Sequence, residues 1–319
     1  MKVSGPGLYD LPNEAYHADV APGPSLSSSG AVTIMRHCPA RFWWESYLNP
    51  LRPAEEPSPN RDAGAAAHVA MLEPDLWASK VVIVPAEDWR GKAAREARDA
   101  AHAESRIPIL EETARKIAQM RAAIDAHPVA AGAFRGGRAE ASAIWRDAAT
   151  GAWLKARPDY LPDHRRYLVD YKTVGNAHPR AVERHVYDMG YHQQAPWHLD
   201  GVEAVTGDRP GEYWYVCQER DPPYLVSVCR LAGDALEWGA KLNRRAIDLF
   251  AECVASGEWP GYRDPERPDV DRAFDIGLPP YAAFQLAERE EAGELRTRRP
   301  SRALLAAAMA AQSPLTMED

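Results

Sequence analysis

The stretch from Glu140 to Thr173, EASAIWRDAATGAWLKARPDYLPDHRRYLVDYKT, restricts the fold more than any other part of the chain. Turn chemistry at Asp147-Ala-Ala-Thr-Gly151, and again at Leu161-Pro-Asp-His164, cuts it into three short strands. A strand shows alternate residues to opposite faces. On the middle strand Trp153, Lys155, Arg157 and Asp159 therefore share a face. On the third, Leu168, Asp170 and Lys172 share one face, and Tyr167, Val169 and Tyr171 the other. Paired as a hairpin, the two strands aim Asp159 and Asp170 into one space, with Lys172 beside Asp170. Two carboxylates and an ammonium make a poor core, because buried charge is costly unless it is paired or bound to metal. They suit a divalent cation held against a reacting phosphate. A surface hairpin with a salt bridge would accommodate the same residues.

Asp159, followed by Asp170-Tyr171-Lys172, resembles the PD-(D/E)xK nuclease core, and Arg157-Pro158-Asp159 supplies the Pro-Asp pair. The flanking sequence extends the resemblance. Leu26-Ser-Ser-Ser-Gly30 reads as a capped helix start, with Ser27 or Ser28 as N-cap, and the helix runs to His37 before Cys38-Pro39 interrupts it. With the aromatic segment Ala40–Tyr47, this opening is similar to that of RecB-type nucleases. Some of those relatives use a cysteine here for an iron–sulfur cluster, with a closely spaced cysteine trio near the C-terminus. This chain has no such trio, so no iron–sulfur cluster is expected.

Gly64 and His68 stand one helical turn apart in an alanine-rich segment that ends Leu72-Glu73-Pro74. A single histidine there suits a core or a surface position equally. The whole phrase resembles the segment that carries the metal-ligand histidine in the exodeoxyribonuclease VIII (RecE-type) family, which implies His68 as a ligand. Glu140, at the parity of Ser142, Ile144 and Arg146, is a secondary metal candidate. After Thr173 a helix is expected from Pro179 onward, kinked at Pro196. Tyr187, Tyr191, Gln194 and His198 share a face on it. This passage resembles the glutamine-x-x-x-tyrosine motif of RecB-type nucleases. Gln194 matches the glutamine, and His198 falls where the tyrosine stands.

Composition bounds the rest. In 319 residues, 45% hydrophobic and 26% charged content is that of a globular chain. No apolar run is long enough to span a membrane, and the N-terminal residues lack an apolar signal core, so a cytoplasmic protein is expected. The four cysteines are widely spaced without a CxxC, which argues against structural zinc. A net charge of −8 argues against indiscriminate coating of nucleic acid but leaves room for a local phosphate-binding patch. Residues 1–24 read as an extended lead-in, 25–285 as the nuclease domain with a helical insertion at about 87–131, and 286–319 as a mobile tail. In the insertion Ile109, Thr113, Ile117, Met120 and Ile124 form an apolar stripe. The segments 212–218 and 224–229 read as a strand pair, and 232–256 as an amphipathic helix.

The resemblance implies an α/β fold with a central mixed sheet flanked by helices. It implies metal-dependent digestion of duplex DNA from its ends, in phage-type recombination, by a ring-forming homo-oligomer with a single-strand annealing protein as candidate partner; the alternatives are an endonuclease or single-strand nuclease on the same core, and a catalytically idle DNA-binding relative. His68, Asp159, Asp170 and the Tyr171 backbone carbonyl would hold Mg²⁺ or Mn²⁺. Lys172 would serve the reacting water or phosphate. Gln194 and Tyr191, together with His198 and Arg157, are the expected DNA contacts.

Overall fold

The computed structural model describes residues 2–52, 58–262, 273–274 and 276–295. They belong to two compact units, Met1–Tyr262 and Arg263–Asp319. The first opens with β1 (Gly7–Tyr9), α1 (Asn13–His17) and β2 (Ser25–Ser27), then α2 (Ser28–Arg36). Ser27 caps α2, its hydroxyl accepting the Gly30 N–H at 3.2 Å. The proline after Cys38 begins a new helix, α3 (Pro39–Glu45), in the first turn where its missing N–H costs nothing. α4 (Pro59–Leu72) buries Ala66, Ala67, Val69 and Met71. Next come α5 (Trp77–Lys80) and β3 (Val81–Val84). The span expected as a helical insertion contains α6 (Lys92–Ala103), the strand β4 (Ile107–Leu110), α7 (Glu111–Ala126) and α8 (Ala130–Ala133). Ile117, Met120 and Ile124 of α7 carry its buried stripe, and Ile109 joins the same core from β4.

The central stretch holds β5 (Gly137–Ala139), β6 (Ser142–Arg146), β7 (Trp153–Ala156), β8 (Tyr160–Pro162) and β9 (Tyr167–Val174). Helices α9 (Pro179–Asp188) and α10 (Tyr191–Thr206), strands β10 (Glu212–Glu219) and β11 (Val226–Arg230), and α11 (Gly233–Ser256) complete the unit. A five-stranded mixed sheet has the order β11-β10-β9-β8-β5, with β9 and β10 parallel. A four-stranded sheet has the order β1-β6-β7-β2, and β3 and β4 form a parallel pair. Helices flank the sheets, as expected. No described helix is long and apolar enough to cross a membrane.

Three expectations change. Residues 1–24, read as an extended lead-in, are part of the fold: they hold α1, and β1 adds to β6. The single middle strand is two strands in two sheets. β7 pairs with β6 in the four-stranded sheet, whereas β8 pairs with β9 in the five-stranded one. Pro158, between them, has no N–H to give to a ladder, so the chain crosses between sheets at Arg157-Pro158-Asp159. The helix after Pro179 breaks at Gly190, which takes φ +74° and abuts Val32, where a Cβ would sit at 2.8 Å. The helix that follows, α10, continues through Pro196, where a kink is expected. Pro196 cannot bond the His192 carbonyl four residues back, and α11 fills the place: Gly239 lies against that carbonyl. One turn on, the Asn243 side chain donates to the Gln193 carbonyl at 2.8 Å.

The second unit has one described helix, α12 (Pro280–Glu291), which runs across the tail boundary expected at residue 285. Most of the expected mobile tail lies outside the described residues.

Candidate metal centre and active site

Three side chains from three elements meet at the seam between the sheets. His68 projects from α4, Asp159 from the crossing before β8, and Glu140 from the turn between β5 and β6. One potential ligand atom from each lies within 4.8 Å of the other two. His68 Nδ1 is 3.7 Å from Asp159 Oδ2, and its ring packs edge-on against Tyr171. Glu140 does not open a strand as expected. It sits at φ 52°, in the left-handed region, with its N–H on the Asp159 carbonyl at 3.0 Å. A non-glycine residue adopts this conformation only when its surroundings demand it. The turn carries the Glu140 carboxylate to the metal cluster.

The charges of this cluster are out of balance. Burial, and then the Asp170 charge, push the Asp159 carboxyl well above the usual range. Burial raises Glu140 to about 7 even though Arg157 opposes the shift. His68 falls to about 4, through burial and the nearby Lys172 ammonium, so its imidazole is neutral and has a lone pair to give. A buried and a half-buried carboxyl that resist ionisation, beside a neutral imidazole, are the donor set a divalent cation satisfies. The residues present therefore fit such a cation.

Asp170 and Lys172 stand beside this cluster on β9. Asp170 is wholly buried, and its Oδ2 is in contact with the Lys172 ammonium. Its Oδ1 accepts the Tyr213 hydroxyl at 3.0 Å and the Asp159 N–H at 3.4 Å. Burial alone would raise the Asp170 carboxyl, but Lys172, His198 and the Tyr213 hydroxyl together hold it below its ordinary value. Lys172 is held above its ordinary value against the pull of burial, by Asp170 first and Asp159 second. Its ammonium also lies 5.0 Å from the Tyr191 ring centre, within cation–π reach. Tyr191 stacks on Tyr215, whose hydroxyl donates to the Tyr191 carbonyl at 2.9 Å and reaches Gln194 Oε1 at 3.5 Å. Asp159 Oδ2 accepts the Tyr171 N–H at 2.7 Å, which ties the crossing to β9. The Tyr171 ring lies against His68, and its hydroxyl donates to Gln218 at 2.6 Å.

The structure thus brings together His68, Glu140, Asp159, Asp170, Lys172, Tyr191 and Gln194. Glu140 joins His68 and Asp159 more closely than Asp170 does. Two expected DNA contacts are corrected. Arg157 is 9% exposed, and its guanidinium donates to Ser142 Oγ at 2.9 Å and to the Leu11 carbonyl at 2.8 Å. It also lies over the Tyr16 ring. His198 is 3% exposed and faces the Tyr213 hydroxyl. Both side chains are enclosed by the protein. Arg157 is enclosed because residues 1–24 fold over it, and His198 because α10 turns that position onto β10. Sequence reasoning missed Tyr213 and Tyr215. The period-two run Tyr213, Tyr215, Cys217 was the available signal, since those residues share the sheet face of Asp170 and Lys172 through the parallel β9–β10 register.

Residues 27–266 match the model of a family described as a PDDEXK-like domain of unknown function. Among solved structures, one from Eubacterium rectale, provisionally described as an exonuclease, superposes with a TM-score of 0.55 at 11% identity. The match covers 86% of this chain and 98% of that one. No curated protein sequence matches.

Proposed function

Because the chain belongs to the family of PDDEXK-like domains, we propose that it is a metal-dependent deoxyribonuclease that hydrolyses phosphodiester bonds from the ends of duplex DNA. The observation that carries this reading is the His68, Glu140 and Asp159 cluster beside the Asp170–Lys172 pair. The Eubacterium rectale structure, matched over nearly its whole length and described as an exonuclease, favours action at ends. The RecE-type motifs of the sequence extend the proposal to a cytoplasmic homo-oligomer acting in phage-type recombination beside a single-strand annealing protein.

His68, Glu140 and Asp159 would hold the cation, with Asp170 and the Tyr171 carbonyl as further ligands. Mg²⁺ is the expected ion from the oxygen donors, and the imidazole also suits Mn²⁺. When bound, the ion supplies the positive charge that acidifies a water and offsets charge building on the scissile phosphate. Lys172, kept protonated by Asp170, donates a hydrogen bond to the attacking water or to a non-bridging phosphate oxygen, where it stabilises the charged transition state. The Tyr191 ring limits where that ammonium can go. Gln194, one turn further along α10, presents its amide toward the DNA backbone.

Digestion of end-labelled linear duplex in Mg²⁺, beside a covalently closed circle and the Asp159→Asn variant, tests the proposal. The amide of that variant would keep an acceptor for the Tyr171 N–H while losing the charge. Loss of linear DNA alone, absent in the variant, is the expected result. Cleavage of the closed circle would replace the exonuclease reading with an endonuclease. Cation binding without cleavage of any DNA would reduce the protein to a binding relative.

A further inference from the structure

Asp170 is completely buried, and the direction in which each of its oxygens points is set by its donors. Oδ2 meets Lys172, and Oδ1 accepts from Tyr213 at 3.0 Å. A tyrosine hydroxyl has one hydrogen to give. It donates to Asp170 Oδ1, so that hydrogen lies on the Asp170 side. The His198 Nδ1 atom, 2.7 Å from the same hydroxyl, must then be the donor in its contact. The imidazole is buried, and the bond it makes selects its tautomer. A directed chain results: His198 Nδ1–H to Tyr213 Oη, and Tyr213 Oη–H to Asp170 Oδ1.

We propose that Tyr213 and His198 are positioning residues, which fix the rotation of the Asp170 carboxylate and through it the place of the Lys172 ammonium. This inference rests on the nuclease reading of that site. The chain comes from outside the signature motif: Tyr213 belongs to β10 and His198 to α10. Without the Tyr213 bond, Oδ1 keeps only the 3.4 Å contact from the Asp159 N–H. The carboxylate can then turn about its χ2, and Lys172 loses a fixed partner. Apart from the Asp159 charge, its other neighbours include aromatic rings, at 5.0 Å for Tyr191 and 6.0 Å for Tyr215, which attract the ammonium without directing it. Without the His198 donor, the Tyr213 hydroxyl is free to swing off Asp170. The two residues therefore act as one device.

The test combines kinetics with a measurement that needs no turnover. Tyr213→Phe and His198→Leu should each lower kcat by roughly 10- to 100-fold, the range for partners that orient an active-site ligand, with KM for duplex DNA unchanged. The double variant should be no slower than Tyr213→Phe, because one chain breaks once. His198→Asn, which places an amide N–H near the Nδ1 position, should recover activity over His198→Leu. Rates are compared below each variant's melting temperature. Lower stability with unchanged kcat, losses that multiply in the double variant, or no difference between Asn and Leu would each overturn the proposal. Nitrogen-15 spectra of the wild-type imidazoles should show His198 as the neutral Nδ1–H tautomer, with its shift altered by Tyr213→Phe. The Nε2–H tautomer would refute the chain even if the wild-type protein cut no DNA. Absence of wild-type cleavage together with the expected tautomer would leave the chain intact and count against the nuclease reading instead.

Discussion

Replacing Gly239 by alanine should separate α10 from α11, and the size of the effect follows from the geometry. A Cβ at this position would lie 1.6 Å from the His192 carbonyl oxygen and 2.5 Å from its carbon. Carbon–oxygen contacts of this kind settle at about 3.3–3.6 Å, so one helix must withdraw by about 2 Å. The obstructing atom is backbone in a helix that also carries Tyr191, Gln194 and His198, and no side-chain rotation relieves it. Overpacking a core costs about 1–3 kcal/mol, and more where backbone has to move. A glycine-to-alanine change inside a helix returns about 0.5–1 kcal/mol. The net expectation is a loss of about 2–3 kcal/mol, which for a unit of this size corresponds to about 4–10 °C in Tm. Gly64 provides the control. It lies inside α4, and a Cβ there meets nothing within 4 Å. Gly64→Ala should therefore raise stability by about 0.5–1 kcal/mol. Calorimetry and urea midpoints on both variants decide the matter. An unchanged Tm for Gly239→Ala, or an equal fall for Gly64→Ala, would refute the packing argument.

Other consequences can be checked separately. Lys172→Met leaves the buried Asp170 carboxylate without its counter-charge, so stability should fall by about 3–5 kcal/mol. Cleavage should fall by roughly 10²–10³-fold; a variant as active as the wild type would remove Lys172 from the mechanism. Arg157→Met should cost stability and leave metal-free DNA affinity unchanged, because the guanidinium is spent on Ser142, the Leu11 carbonyl and Glu140; fluorescence anisotropy in chelator that shows weaker DNA binding in the folded variant would contradict this. His198, at about 4, titrates below the ordinary histidine value of about 6.5. Between those values the unfolded chain binds the extra proton, so its contribution to stability falls as pH drops from about 6.5 to about 4, by up to about 3 kcal/mol. His198→Leu should flatten that part of the stability curve. Glu140, raised to about 7, behaves oppositely in the metal-free protein: its share of stability is present below about 4.5 and is lost as pH rises through 7. Cation binding near pH 6 should therefore release a proton from Glu140, visible as a buffer-dependent heat that Glu140→Gln lowers, leaving the share that comes from Asp159.

The parts of the site that could be read in the sequence are those fixed by local rules. Asp170 and Lys172 share a strand face by period two, His68 sits on the helix that its alanine-rich neighbours predict, and Ser27 caps its helix. Three features depend on distant contacts and leave no local trace. Period-two parity treats residues 153–161 as one strand and so puts Lys155, Arg157 and Asp159 on one face. The change of sheet at Pro158 resets that parity, sending Lys155 and Arg157 toward the N-terminal segment and Asp159 toward the metal cluster. Glu140 reads as the start of a strand, whereas it occupies the left-handed turn before one, and residue type alone does not announce that backbone state. Gln194 and His198 are correctly placed on one helix, yet His198 is covered by β10, which follows later in the chain.

The burial of Lys155 and Arg157 also sets an order of events during synthesis. Lys155 Nζ donates to the Tyr16 carbonyl at 2.6 Å and the Ala18 carbonyl at 3.2 Å, and Arg157 to the Leu11 carbonyl at 2.8 Å. The segment that receives these two cations leaves the ribosome well over a hundred residues ahead of them. At the usual elongation rates of about 5–20 residues per second, it waits on the order of ten seconds, as an unpaired strand edge with Val3, Leu11 and Val20 still in water. Residues made early are thus seated late, and the seam that carries Asp159 closes only when they arrive.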